Sequence, residues 1–100
     1  MPIYRLTVFG KQSHASMPCS GVNAIRYGAR LISMMEMRLV SIEGGLADNI
    51  IPPSCEFTFS SEKSLRELRK NATEQMEKIK EEGDRLVKKN LRYEIELLYP

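Results

Sequence analysis

Tryptophan is missing from these 100 residues, histidine occurs once and cysteine twice. With His14, Cys19 and Cys55 as the whole supply of nitrogen and sulfur ligands, a structural zinc site of the usual four-ligand kind is out of reach. Spacing alone does not decide whether the two cysteines pair, but with no secretory context two free thiols are expected. No apolar run approaches the roughly 18 residues that a membrane span requires, and the start of the chain lacks the basic-then-apolar layout of a signal peptide. The expected location is therefore cytoplasmic, with no membrane partner. Charge of one sign is also scarce. The formal net charge is only +2, and the basic residues between positions 63 and 89 alternate with acidic ones, so no basic stripe for nucleic acid is expected. Repeats and low-complexity tracts are lacking too.

What remains is a globular composition, 42% hydrophobic and 28% charged, in a chain long enough for one core. Residues 3–9 alternate and are rich in β-formers (Ile3, Leu6, Val8), which predicts a strand ended by Gly10. After a polar loop, Ser20 is placed to cap a helix over about 21–35. Its apolar positions form two neighbouring sets, Ala24–Gly28–Leu31–Met35 and Ile25–Ala29–Ile32. Together they cover more of the circumference than one sheet-facing stripe needs. Residues 38–42 read as a second strand, broken by Gly44 and Gly45, and residues 46–53 as a loop held extended by Pro52 and Pro53. Residues 55–60 form a third strand with Cys55, Phe57 and Phe59 on one face.

Ser64-Leu65-Arg66-Glu67 matches a capping box. It opens a long helix whose stripe Leu65, Leu68, Ala72, Met76, Ile79, Gly83, Leu86 carries on to about Lys89. Residues 91–98 close the chain as a fourth strand. The order β-α-β-β-α-β predicts an α+β, ferredoxin-like sandwich, in which two helices cover one face of a four-stranded antiparallel sheet. Right-handed crossovers put the first and third strands at the centre, with the second and fourth on the edges. The first and last strands then lie side by side, as in a domain excised at its two linkers. The second strand is left with a free edge that a second copy of the chain can pair with.

Two loops carry the residues with chemistry. His14 sits in the first, Gly10-Lys11-Gln12-Ser13-His14-Ala15-Ser16-Met17-Pro18. Asn49 sits in the second, Gly44-Gly45-Leu46-Ala47-Asp48-Asn49-Ile50-Ile51-Pro52. Alone, a loop histidine is ordinarily a surface residue and an asparagine before such a run supplies a turn hydrogen bond. Together with the intervening Gly21-Val22-Asn23-Ala24-Ile25, the two loops resemble the lid (dimerisation) domain of the zinc exopeptidase family. That family includes aminoacylases, acetylornithine and succinyl-diaminopimelate deacylases, carboxypeptidase G and carnosinase-like dipeptidases. The resemblance extends over essentially the whole chain.

The resemblance implies that residues 1–100 are one lid domain from a larger two-domain metallopeptidase. The partners it implies are that catalytic domain, a second copy of the chain in a homodimer, and a peptide or N-acyl amino acid substrate. The family's two zinc ions belong to the catalytic domain, so this domain carries no cofactor and should catalyse nothing alone. By resemblance, His14 stabilises an oxyanion in the other subunit's active site, and Asn49 contacts the substrate. The family's lids pair through the first helix and an edge strand, which implies an interface of Ala24, Gly28, Leu31, Leu39, Val40 and Ser41. Gly28 itself reads first as a close-packing site and only second as an interface residue. Many members carry an arginine just after the third strand. Here Phe59-Ser60-Ser61-Glu62-Lys63 has none, so dipeptidase and deacylase stay equally open.

A different class shares the same element order. RNA-recognition modules and small-molecule regulatory domains also use it, since fold does not fix function. Cys55-Glu56-Phe57-Thr58-Phe59 lacks the third-strand signature of the RNA module. Both phenylalanines share a face, which predicts that helices cover them. No glycine-rich phosphate cradle appears in the loops.

Overall fold

Strict alternation of apolar and polar residues makes the central strands. In β1 (Ile3–Phe9) Tyr4, Leu6 and Val8 turn inward, and in β5 (Ser54–Ser60) Cys55, Phe57 and Phe59 do. A computed structural model describes residues 1–14, 16, 21–35, 37–45 and 49–100. Antiparallel pairing aligns these rows, with Tyr4 opposite Phe59, Leu6 opposite Phe57 and Val8 opposite Cys55. The Tyr4 and Phe59 rings stack with centroids 5.6 Å apart. On the other side β1 pairs antiparallel with β6 (Arg92–Tyr99), and β5 pairs antiparallel with β3 (Arg38–Gly44). The sheet order is β3-β5-β1-β6, the arrangement that right-handed crossovers require of this element order.

Helices α1 (Ala24–Met35) and α2 (Leu65–Glu82) close the inward face. Their buried residues Leu31, Ile32, Leu68, Met76 and Ile79 join the strand rows in one core. Phe57 and Phe59 are wholly buried in it, so neither is available to stack on a base. The α2 capping box forms as read: Ser64 Oγ accepts the Glu67 backbone N–H, and the Glu67 side chain accepts that of Ser64.

Three local readings change. The first helix begins at Ala24 rather than near 21, because Asn23 Oδ1 accepts the backbone N–H groups of Ile25 (3.0 Å) and Arg26 (3.1 Å). Ser20, expected as the cap, lies outside the described residues. The long second helix ends at Glu82, where Gly83 is extended and Asp84 caps a separate helix α3 (Arg85–Asn90) by accepting the Val87 N–H at 3.1 Å. This break rotates the buried face, so that Val87 rather than Leu86 enters the core. The two polar loops also pair with each other. β2 (Ser13–His14) and β4 (Ile50–Ile51) form a small antiparallel ribbon apart from the main sheet.

Candidate functional site

The ribbon is anchored at the root of the first loop. Lys11 and Val22 exchange two backbone hydrogen bonds of 2.9 Å, so the loop leaves the core and returns at one point. Only glycine fits at position 10, since a Cβ there would stand 2.2 Å from the Val22 carbonyl oxygen. The two prolines of the second loop complete the anchor. Pro53 accepts the Gly10 N–H at 2.8 Å and Pro52 accepts the Ala24 N–H at 3.0 Å. A proline lacks a donor but keeps its carbonyl, and here the Pro53 carbonyl fastens the second loop to the end of β1 and the Pro52 carbonyl fastens it to the start of α1.

His14 and Asn49, far apart in sequence, thus meet on one ribbon. His14 is opposite Ile50 and Ser13 opposite Ile51, so Asn49 is the next residue beyond the partner of His14. Successive residues of a strand face opposite ways. A Cβ built on Gly21 would lie 2.7 Å from Ser13 Cβ and 3.3 Å from Ile51 Cβ, so that pair faces inward onto Gly21. His14 therefore projects from the other face, away from the start of α1, and it is exposed, as is Asn49. His14 Nδ1 lies 2.7 Å from Ser16 Oγ and accepts the Ser16 backbone N–H at 3.1 Å. Ser16 stands in the motif, but sequence reasoning gave it no role, because nothing in the spacing reveals a bond back to the ring. Ala15, Met17, Pro18 and Cys19 of the first loop, and Leu46, Ala47 and Asp48 of the second, lie outside the described residues.

Among the described residues no three His, Cys, Asp or Glu side chains come together as metal ligands. Cys55 is enclosed by the core. Burial pushes its thiol up from the ordinary 9.0 to about 11, with the Glu56 charge as a lesser cause, so it is a neutral packing residue at physiological pH.

The expected self-interface divides in two. Ala24, Gly28 and Leu31 are buried in this protomer's own core and have no surface to offer a partner, which corrects the sequence expectation for the helix. The two apolar sets on α1 looked alike in sequence, and the set containing Gly28 is the one that faces the sheet. In the edge strand every residue of β3 is exposed. Leu39 (41%), Val40 (60%) and Ile42 (47%) form an open apolar row with Ser41 among them. A bulge puts Val40 out of register, since Leu39 is opposite Phe59 and Ser41 opposite Thr58. The far edge differs, for on β6 the Arg69 guanidinium covers the Ile95 carbonyl at 3.3 Å. Apolar side chains are exposed on both edges, Leu97 (45%) and Tyr99 (67%) on β6 included, so the edges differ in the Arg69 cover rather than in apolar exposure.

Comparison with known proteins gives one answer at the level of family and fold. The family described as "Peptidase dimerisation domain" matches residues 4–92. A succinyl-diaminopimelate desuccinylase 2 from Shewanella loihica is 32% identical over 78 residues, which take in 62% of this chain and 21% of that protein. The chain thus spans about a fifth of the length of this curated relative. Among solved structures, an aminobenzoyl-glutamate utilization protein from Klebsiella pneumoniae has a TM-score of 0.67 at 16% identity, over 98% of this chain and 28% of that one. Aminopeptidase PepT from Bacillus cereus has a TM-score of 0.62 at 21% identity, over 99% of this chain and 30% of that one. At these identities the two structures attest the fold.

Proposed function

This chain belongs to the peptidase dimerisation domain family, and from that premise we propose that it is the self-associating lid of a dinuclear-zinc dipeptidase or N-acyl amino acid deacylase, each copy lending His14 to its partner's active site. The observation that carries the proposal is the anchored ribbon. It brings His14 and Asn49 together and directs the imidazole outward, away from its own domain. The apolar β3 edge supplies the means of association: in a symmetric dimer it pairs with its own copy, which extends the sheet and covers Leu39, Val40 and Ile42.

Among the described residues His14 has Ser16 beside it, and no three His, Cys, Asp or Glu side chains gather that could hold a zinc ion. The two zinc ions belong in this reading to the catalytic domain of the whole protein. What this chain supplies is a hydrogen-bond donor. When the amide carbonyl of a bound substrate becomes tetrahedral, negative charge develops on its oxygen, and the His14 ring N–H stabilises that charge more strongly than the neutral carbonyl. Asn49 holds a carbonyl or carboxylate end of the substrate beside it.

Replacing His14 by alanine in a full-length protein carrying this domain is expected to lower kcat roughly 100- to 1000-fold, the usual loss for one oxyanion donor. Mixed dimers decide whose histidine acts. One subunit carries His14→Ala with an intact catalytic domain; the other keeps His14 but has an inactivated catalytic domain. Activity returns on mixing only if the histidine works across the dimer. Unchanged turnover in the alanine variant sinks the donor role, and mixed dimers without activity sink its action in trans.

A further inference from the structure

A histidine that stabilises an oxyanion must present a proton, and a neutral imidazole carries one proton for its two nitrogens. The alternative tautomer would aim a lone pair at the developing charge. The contacts of His14 bear on this choice. The Ser16 backbone N–H, 3.1 Å from Nδ1, has no lone pair to offer, so it is a donor and Nδ1 is the acceptor. Nδ1 of the neutral ring is therefore unprotonated, and the proton sits on Nε2, the nitrogen farther from the backbone. Ser16 Oγ, 2.7 Å from the same Nδ1, is a hydroxyl free to rotate, and it donates in the same sense. Both donors come from one residue, two positions along the loop, and both are exposed like the ring they hold.

We infer that Ser16 is a positioning residue, which fixes His14 in the Nε2–H tautomer and so makes the outer edge of the ring a hydrogen-bond donor. The ring acts and Ser16 decides which of its nitrogens acts. The role of that donor in catalysis rests on the oxyanion reading given above, whereas the tautomer itself rests on the Ser16 contacts alone. Backbone pairing fixes the base of the side chain: the His14 backbone is held opposite Ile50, one residue from Asn49.

Because the chain has a single histidine, its ring nitrogens are unambiguous in a long-range proton–nitrogen correlation spectrum of the labelled protein. The spectrum is recorded in alkaline buffer, on the neutral ring. The expected result is a protonated Nε2 and an unprotonated Nδ1 in the wild type. In Ser16→Ala the backbone N–H of residue 16 stays and only the hydroxyl is lost, so the two nitrogen shifts move part of the way toward each other as the Nδ1–H form gains population, and Ser16→Thr, which keeps the hydroxyl, restores them. Ser16 is exposed, so the amide spectrum elsewhere should be unchanged. In a full-length protein Ser16→Ala is expected to lower kcat about three- to tenfold, the worth of one neutral hydrogen bond. KM should change little, and Ser16→Thr should recover the rate. A wild-type ring protonated on Nδ1, or nitrogen shifts that do not move in Ser16→Ala, overturns the inference. If the shifts move as expected while His14→Ala leaves turnover unchanged, the oxyanion reading fails and the assignment of Ser16 stands.

Discussion

Gly28 sits under the ring of Phe57, and a Cβ added there would fall 2.3 Å from Cε2 and 2.6 Å from Cζ. The ring is wholly buried and has no open side to retreat to. Alanine would raise the helix propensity of α1 by about 1 kcal/mol, but overpacking a filled core costs about 1–3 kcal/mol. Gly28→Ala is therefore expected to destabilise the fold by up to about 2 kcal/mol, read as a lower midpoint in urea at unchanged slope. The second residue to test is Cys55, whose folded pKa is raised from 9.0 to about 11. The unfolded chain releases this proton first, so the contribution of the neutral thiol to stability is complete below about pH 9 and fades as pH rises toward 11. Stability measured across that window should fall more steeply for the wild type than for Cys55→Ala. Parallel curves would show that the thiol is not held neutral by the fold.

At the scale of the elements, α2 is mostly charged outside its buried stripe and relies on its first turn for a defined start. Ser64 and Glu67 each satisfy the other's backbone N–H. Ser64→Ala leaves the Glu67 N–H without its acceptor, and the expected loss is about 1 kcal/mol in chemical denaturation. A loss below the error of the fit would mean that solvent replaces the cap. Asn23 does the equivalent for α1 and Asp84 for α3, so each described helix starts on a side-chain cap. The strand β6 is tied down differently. The Tyr93 hydroxyl donates to the Arg69 carbonyl at 3.0 Å and meets Thr73 Oγ1, and Arg69 in turn covers the Ile95 carbonyl. Exposed ion pairs from Arg5 to Glu96 and from Arg30 to Glu82 contribute little beside these.

The whole molecule is asymmetric in what its two sheet edges show to solvent. Exposed apolar strand edges invite pairing, and lysine on an edge is the common device against it. Val40→Lys together with Ile42→Lys places two charges in the apolar row. These side chains are outside the core, so unfolding should stay cooperative. Sedimentation over a range of concentrations should show self-association in the wild type and a monomer in the double variant. Dimers that persist in the double variant would move the interface away from β3.

Much of this protein follows from local rules. Alternation at period two and stripes at three and four residues are properties of the sequence itself, and so are the capping box and the loop prolines. They predict the element order, and the handedness of crossovers converts that order into the strand arrangement found here. The motif that holds His14 and Asn49 was likewise legible, because it is a pattern of residue types at fixed spacing. Which side of α1 meets the sheet was not. Periodicity gives the angle between two apolar sets but not their direction relative to a neighbour, and only packing of Gly28 against Phe57 decides it. The exposure of β3 was obscured for a related reason, since the bulge at Val40 breaks the alternation by which faces are read. The bond from Ser16 to His14 is local but depends on the backbone conformation of the loop, whereas the β2–β4 ribbon depends on chain segments meeting across the fold. Spacing carries no record of such meetings, so the pairing of His14 with Ile50, which sets Asn49 one residue beyond it, was decided by tertiary structure alone.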